Sequence, residues 1–238
     1  MTEAYVERHG VKVWTCLQGE GSPLLLCNGG PGCCDYLSPV AGMVDDLAQV
    51  VRFEQRGCGR SDRAGPYDLL TCIEDIEAIR GHYGIDKWIV GGHSWGANLA
   101  LAYSLDHPDR AQALIYIAGN GAQHDVEWRD EYKHALSTRG EQKPEMACPG
   151  NDEVNRCGNA SWYDYIRHPE FLRRSGELKI PALFVVAGDD IRPNWPAEQM
   201  SRLLPDCRLV RIEDAGHYIW LTHAAELRTI LRSFLKDL

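Results

Sequence analysis

The sequence has no long apolar run and no excess of positive charge. Its apolar runs are all shorter than the ~20 residues needed to span a bilayer. The first residues, MTEAYVERHG, lack the basic start and apolar core of a secretion signal. Lys and Arg together number 25 against 34 Asp and Glu, and the formal net charge of −9 repels phosphate backbones and anionic lipid surfaces. We therefore expect a cytoplasmic protein that binds neither nucleic acid nor membranes.

Motifs for metals and common cofactors are also missing. The nine cysteines are an odd number without C-x-x-C spacing, which favours free thiols over a disulfide framework. There is no H-E-x-x-H zinc motif, and no G-x-G-x-x-G follows a strand as a dinucleotide site would require. The sequence therefore predicts a protein without a metal or an organic cofactor.

Short apolar runs alternate with helical patterns on both sides of an irregular middle region. This order predicts an α/β protein with a mostly parallel sheet and helices on both faces. A length of 238 residues suits one such domain. We predict that residues 1–120 and 179–238 form this core. The intervening residues 121–178, with a helical stripe at 128–136 and a stretch rich in Gly, Pro and Cys after it, are predicted to form a small helical cap.

The stretch GGHSWG at 91–96 contains the clearest candidate nucleophile. A strand-like run precedes it and a helix-compatible run follows it, which is the context of a nucleophile elbow. Such a turn exposes the hydroxyl of Ser94 near the start of a helix, where N–H groups favour developing negative charge. The alternative is an ordinary turn serine. We interpret Ser94 as a nucleophile and the backbone N–H of Trp95 as one oxyanion donor.

A nucleophilic serine needs a base and an orienting acid, which follow it along the chain in this kind of fold. His217 lies in a loop between the apolar run CRLVRI and the last helical pattern, a suitable position for the base. The strand ALFVVAG runs directly into Asp189 and Asp190, and either could orient the histidine. Counting along a turn that starts at Ala187 favours Asp190.

The second oxyanion donor should come from the loop after an early strand, where LLLCNGGPG supplies glycines. A glycine lets the backbone approach the substrate because it has no Cβ. Gly30 is the predicted donor. The alternative is that this glycine string is an ordinary turn.

Five separated segments resemble the proline iminopeptidases, also called prolyl aminopeptidases. They are NGGPG at 28–32, FEQRGCGRSD at 53–62, GGHSWGANLAL at 91–101, and DIRPNWP at 190–196 with AGHYIW at 215–220. The resemblance implies an α/β-hydrolase fold and the roles reasoned above for Ser94, Asp190, His217, Gly30 and Trp95. It also implies an aminopeptidase that acts on small peptides or amides.

The sequence departs from that family at positions that concern the substrate. Asn28 replaces a histidine, Glu54 replaces an aspartate, and the insertion is shorter than the cap of the peptidases. Hydrolysis of carboxylic esters or lactones is therefore the alternative, and a non-catalytic ligand-binding protein is a more distant one. The family holds the substrate's amino group with acidic cap residues. The acidic residues of the insertion that could do so are Glu127, Asp130, Glu131 and Asp164, and none is assigned that role.

Overall fold

A computed structural model describes residues 1–123 and 125–238. Their eight strands form one sheet in the order β1-β2-β4-β3-β5-β6-β7-β8. The first two strand pairings, β1 with β2 and β2 with β4, are antiparallel, and all others are parallel. The strands are β1 Thr2–Arg8, β2 Val11–Gln18, β3 Ser22–Cys27, β4 Ala48–Phe53, β5 Trp88–His93, β6 Ala111–Ile117, β7 Ala182–Ala187 and β8 Cys207–Ile212.

The helices alternate with the parallel strands, as the sequence pattern predicts. They are α1 Ser38–Ala41, α2 Leu69–His82, α3 Trp95–Asp106, α4 Val126–Arg139, α5 Asp152–Arg167, α6 Phe171–Glu177, α7 Trp195–Leu203 and α8 Ala224–Lys236. A short 3₁₀ turn covers Ile219–Leu221. Within the described ranges no helix is both long and apolar enough to cross a membrane.

Both faces of the sheet are covered, which confirms the predicted layering. Alternate residues of the central strands point to opposite sides: Leu25 and Val90 belong to the apolar core that includes α2 and α3, whereas Leu24 and Ile89 belong to the core that includes α1 and α8. Each fully buried side chain of this size contributes about 1.5–3 kcal/mol relative to an exposed one. Because β3, β5, β7 and β8 run in the same direction, the loops after these four strands meet at one edge.

Helices α4, α5 and α6 lie between β6 and β7, in the region predicted as a cap. The predicted range 121–178 includes residue 124, which lies outside the described residues, and its exact bounds stay a prediction. The stretch rich in Gly, Pro and Cys is not irregular throughout, because α5 begins within it at Asp152. The side chain of Asn151 accepts a hydrogen bond from the N–H of Glu153 at 3.0 Å and caps this helix.

The nine cysteines all lie in the described part of the chain and are free thiols. The cysteines at 16, 27 and 72 are buried in the apolar core. Burial raises the pKa of Cys34 to about 11, so that its thiol stays protonated near neutral pH.

Candidate active site

A sharp turn joins β5 to α3 at Ser94. Its backbone has φ 58° and ψ −126°, a left-handed conformation that residues other than glycine seldom adopt. The turn depends on two glycines. A Cβ on Gly92 would lie 2.1 Å from the carbonyl oxygen of Gly96, and a Cβ on Gly96 would lie 2.1 Å from that of Cys27. The sequence context predicted for a nucleophile elbow is therefore present.

His217 and Asp190 lie together at the same edge of the sheet. Nδ1 of His217 is 2.6 Å from Oδ2 of Asp190, and the two side chains are only 1% and 2% exposed. The N–H of Asp190 donates to the carbonyl of Ala187 at 3.3 Å, which is the turn that the sequence count assumes. Asp189 instead points outwards, is 62% exposed and pairs with Arg139. Of the two neighbouring aspartates, Asp190 is the one that contacts the histidine.

A chain of buried hydrogen bonds links the loop after β3 to the backbone of His217. The N–H of Gly29 donates to the hydroxyl of Tyr36 at 2.7 Å. That hydroxyl lies 2.8 Å from Nδ1 of His93, and Nε2 of His93 lies 3.0 Å from the carbonyl oxygen of His217. Burial lowers the pKa of His93 well below its usual value, so that its ring is neutral. The histidine next to Ser94 thus has a structural role, and the N–H of Gly29 is already in use.

Helix α5 holds the glycine loop that follows β3. Nδ2 of Asn155 donates to the carbonyl oxygens of Gly30 and Pro31, the latter at 2.9 Å. The N–H of Asn151 donates to the carbonyl of Gly32, also at 2.9 Å. The conformation of the loop therefore depends on residues that lie more than a hundred positions away. Sequence reasoning did not single out Asn155, and no motif marks it.

Glu54, which replaces the aspartate of the resembled family, is buried next to this loop. Its carboxylate accepts hydrogen bonds from the N–H groups of Asp35 at 3.1 Å and Arg60 at 2.5 Å. The guanidinium of Arg60 also pairs with it at 2.8 Å. The longer side chain of Glu54 therefore still has partners in two segments: Asp35 in the chain after β3 and Arg60 in the chain after β4.

An ion cluster adjoins Asp190 and His217. Nη1 of Arg192 lies 3.3 Å from Oδ1 of Asp190 and also pairs with Glu141, whose side chain is 3% exposed. Glu141 belongs to the chain between α4 and α5, and sequence reasoning missed it. Ligand-type atoms of Glu141, Asp190 and His217 lie within 4.8 Å of one another, a spacing that a metal ion could bridge. Arg192 already supplies a positive charge to both of these carboxylates.

These neighbours control the protonation of the histidine and the aspartate. Burial by itself would raise the pKa of Asp190, but His217 and Arg192 outweigh it and lower that pKa to about 2. Burial lowers the pKa of His217 below its usual value; Asp190 and Glu141 oppose this effect, and Arg192 adds to it. Near neutral pH the aspartate is therefore ionised and the imidazole is neutral.

A cavity of about 600 Å³ opens over Ser94, between the sheet edge and α4 and α5. Its lining includes Gly30 and Trp95, so the three predicted positions lie around one space. His217 lines a separate cavity of about 300 Å³, whose lining does not include Ser94. The cap acids Glu127, Asp130, Glu131 and Asp164 are all exposed, and none of them lines either space.

Residues 22–148 match the family model described as alpha/beta hydrolase fold, which is more than half of the chain. The chain belongs to this family. The resemblance to proline iminopeptidases is also confirmed. Over 108 residues the chain is 39% identical to a proline iminopeptidase of Neisseria gonorrhoeae, a match that covers 40% of this chain and 32% of that protein. Over 99 residues it is 37% identical to one of Arabidopsis thaliana, covering 40% and 26%. The match spans about a third or less of these curated relatives.

Solved structures agree with this fold over the whole chain. A thermophilic esterase from Thermogutta terrifontis superposes with a TM-score of 0.81 at 20% identity, covering 100% of this chain and 99% of that one. A proline iminopeptidase from Mycobacterium smegmatis has a TM-score of 0.77 at 16% identity, covering 99% and 98%. At such identities the similarity extends to the fold alone.

The charges of the ion cluster should determine how activity depends on pH. A histidine that acts as a base must be neutral, so activity should fall as the pH drops through the pKa of His217, which lies below its usual 6.5. Removing a nearby cation favours the protonated ring, and removing a nearby carboxylate disfavours it. We expect Arg192→Gln to move the acidic limb of kcat/KM to higher pH and Glu141→Gln to move it to lower pH.

The measurement is a pH–rate profile for each variant, with folding checked by circular dichroism. The control is Arg202→Gln, a substitution of an exposed residue at the end of α7. It should not shift the acidic limb of the kcat/KM profile. Shifts of both variants in the same direction would contradict this electrostatic account.

Proposed function

We propose that the protein is a serine hydrolase that acts through an acyl-enzyme without a cofactor. The observation that carries the proposal is the 2.6 Å contact between His217 and the buried Asp190, at the same sheet edge as the strained turn of Ser94. In the proposed reaction, Oγ of Ser94 attacks an ester or amide carbonyl while His217 takes the hydroxyl proton. The protonated histidine then gives that proton to the departing alcohol or amine.

The second half of the reaction uses the same groups. A water molecule replaces the leaving group and attacks the acyl carbon while His217 removes its proton. His217 then returns this proton to Oγ of Ser94 as the bond from Oγ to the acyl carbon breaks, and the acyl group leaves as a carboxylic acid. Asp190 stays ionised throughout, because its pKa is held at about 2. Its role is to hold the imidazole with Nδ1 protonated and to stabilise the transient imidazolium.

Backbone N–H groups of Gly30 and Trp95 are the proposed oxyanion donors. Trp95 is the first residue of α3, where N–H groups have no partner within the helix. Gly30 has φ +121°, and its carbonyl, in the peptide unit that follows its N–H, accepts a hydrogen bond from Nδ2 of Asn155, which limits the movement of this loop. Each such donor is worth about 3 kcal/mol of barrier.

Two substrate classes compete for this site. The relatives named proline iminopeptidase favour cleavage of an N-terminal proline from a small peptide or amide. The α-ammonium of such a substrate lies only two bonds, about 2.5 Å, from the carbonyl carbon. It would therefore need a carboxylate close to Ser94. Among the described residues, no carboxylate lines the 600 Å³ cavity, and one, the exposed Asp152, lines the adjoining cavity that also includes Ser94.

The geometry thus favours a carboxylic ester or lactone, whose acyl group requires no ammonium partner. The test compares turnover of a short-chain aryl ester with turnover of a prolyl arylamide, in the wild type and in Ser94→Ala. We expect the ester to be hydrolysed at least tenfold faster and Ser94→Ala to be inactive on both. Faster arylamide cleavage would establish the aminopeptidase instead. Retained activity in folded Ser94→Ala would overturn the nucleophile.

The neighbouring aspartates offer a matched pair for the acid. Asp190→Asn removes the carboxylate that orients His217, and we expect kcat to fall by about 10³ to 10⁴, since the analogous change in a related arrangement costs about 10⁴. Asp189→Asn removes only an exposed partner of Arg139 and should change kcat less than twofold. Steady-state kinetics on the aryl ester measures both, and equal losses would contradict the assignment of Asp190.

A further inference from the structure

The cavity over Ser94 is lined by cations and amides. Its polar side chains, apart from Ser94 and two tyrosines, are Asn120, Asn155, Arg156, Asn159 and Arg192. The two arginines differ in their partners. Arg192 is half-buried, with 14% of its side chain exposed, and pairs with Asp190 and Glu141, so its charge is already balanced. Arg156 is exposed and forms no ion pair with any acid in the described part of the chain.

Arg156 is carried by a rigid element that also contacts the reaction centre. It lies in the second turn of α5, directly after Asn155, whose side chain holds the carbonyls of Gly30 and Pro31. Gly158, on the same helix, packs against Pro31 and the indole of Trp95, so closely that an added Cβ would lie 2.7 Å from Cγ of Pro31. The backbone of Arg156 is therefore fixed relative to the proposed oxyanion donors.

The position of His217 indicates which part of a substrate would reach Arg156. The leaving group must receive its proton from His217. It therefore lies on the side of Ser94 where a cavity of about 340 Å³ is lined by Tyr218, the residue that follows His217. The cavity that contains Arg156 includes Ser94, Gly30 and Trp95 in its lining but not His217. It is the space left for the acyl group.

We propose that Arg156 selects esters whose acyl group ends in a carboxylate, that is, half-esters of dicarboxylic acids. A guanidinium offers paired N–H donors that match the two oxygens of a carboxylate. The inference rests on the hydrolase function proposed above and names its substrate class.

Other charges near this space do not cancel that preference. Lys143 lines the adjoining cavity of about 340 Å³ and adds positive charge, with its Nζ 3.4 Å from Oε2 of Glu141. Asp152 lines that adjoining cavity too, one helical turn before Arg156, and is exposed. It forms no ion pair with Arg156 within 4 Å among the described residues.

The test uses two aryl esters of nearly equal size. One is 4-nitrophenyl monoadipate, ionised at pH 7.5 and long enough to disfavour attack of its carboxylate on its own ester. The other is 4-nitrophenyl methyl adipate, in which that carboxylate is a neutral methyl ester. In the wild type we expect kcat/KM to be about tenfold higher for the monoadipate, which corresponds to 1.4 kcal/mol. The preference should shrink as salt rises from 0.02 to 0.5 M, because a partly exposed ion pair is screened.

Variants of Arg156 locate the effect. Arg156→Gln should abolish the preference while leaving turnover of the neutral ester within twofold, and Arg156→Lys should retain part of it. Arg167→Gln is the matched control, because Arg167 ends the same helix, is exposed and pairs with Asp164 at 3.6 Å, outside this cavity. It should keep the full preference. The ester 4-acetoxybenzoate carries its carboxylate on the leaving group. Its kcat/KM should therefore be the same in the wild type and in Arg156→Gln.

The outcomes separate the inference from the function on which it rests. If neither adipate ester is hydrolysed, and no other aryl ester is, the hydrolase proposal fails. If both adipate esters are hydrolysed at equal rates, or if Arg156→Gln keeps the preference, the hydrolase stands and the role of Arg156 is overturned. A preference that disappears equally in Arg167→Gln would also overturn it.

Discussion

The backbone turn at Ser94 is the constraint on which the site depends. A serine at φ 58° costs on the order of 1–3 kcal/mol, and such strain persists only where the surroundings hold it. Here β5 is buried along its whole length, and α3 packs so closely over it that Gly92 and Gly96 admit no side chain. The same packing brings the end of β3 against the elbow, since the carbonyl of Cys27 touches Gly96. Both proposed oxyanion donors therefore follow from one compact junction.

A second constraint is the burial of charge beside that junction. Asp190 is buried, and a buried carboxylate without partners would be costly. Arg192 supplies the positive charge, and Glu141 balances Arg192 in turn. This arrangement ties the segment between α4 and α5 to the loop after β7. Burial lowers the pKa of His217, and Arg192 adds to this effect against the opposing influence of Asp190 and Glu141, so that the imidazole is neutral near neutral pH. The position of the segment between α4 and α5 and the protonation of the proposed base thus share one set of contacts.

The sequence predicted the parts of this structure that are encoded locally. The strand, glycine turn and helix around Ser94 are contiguous, and the turn from Ala187 to Asp190 can be counted along the chain. Strand β1 was not predicted, although it pairs with β2 over its entire length. The sequence also did not predict the roles of Glu141, Asn155 and Tyr36, because each of these residues contacts partners that are distant in sequence. No periodicity or motif marks such partners, since their places are set by the path of the whole chain.

The most direct test of the central claim is covalent trapping of Ser94. The wild type would be incubated with 4-nitrophenyl ethylphosphonate, which transfers its phosphonyl group to an activated serine, and then analysed by intact mass and peptide mapping. We expect one adduct per chain, located on Ser94, with release of one equivalent of nitrophenol and complete loss of esterase activity. Ser94→Ala should remain unmodified. No adduct on the folded wild-type protein, or an adduct that persists in Ser94→Ala, would contradict the account.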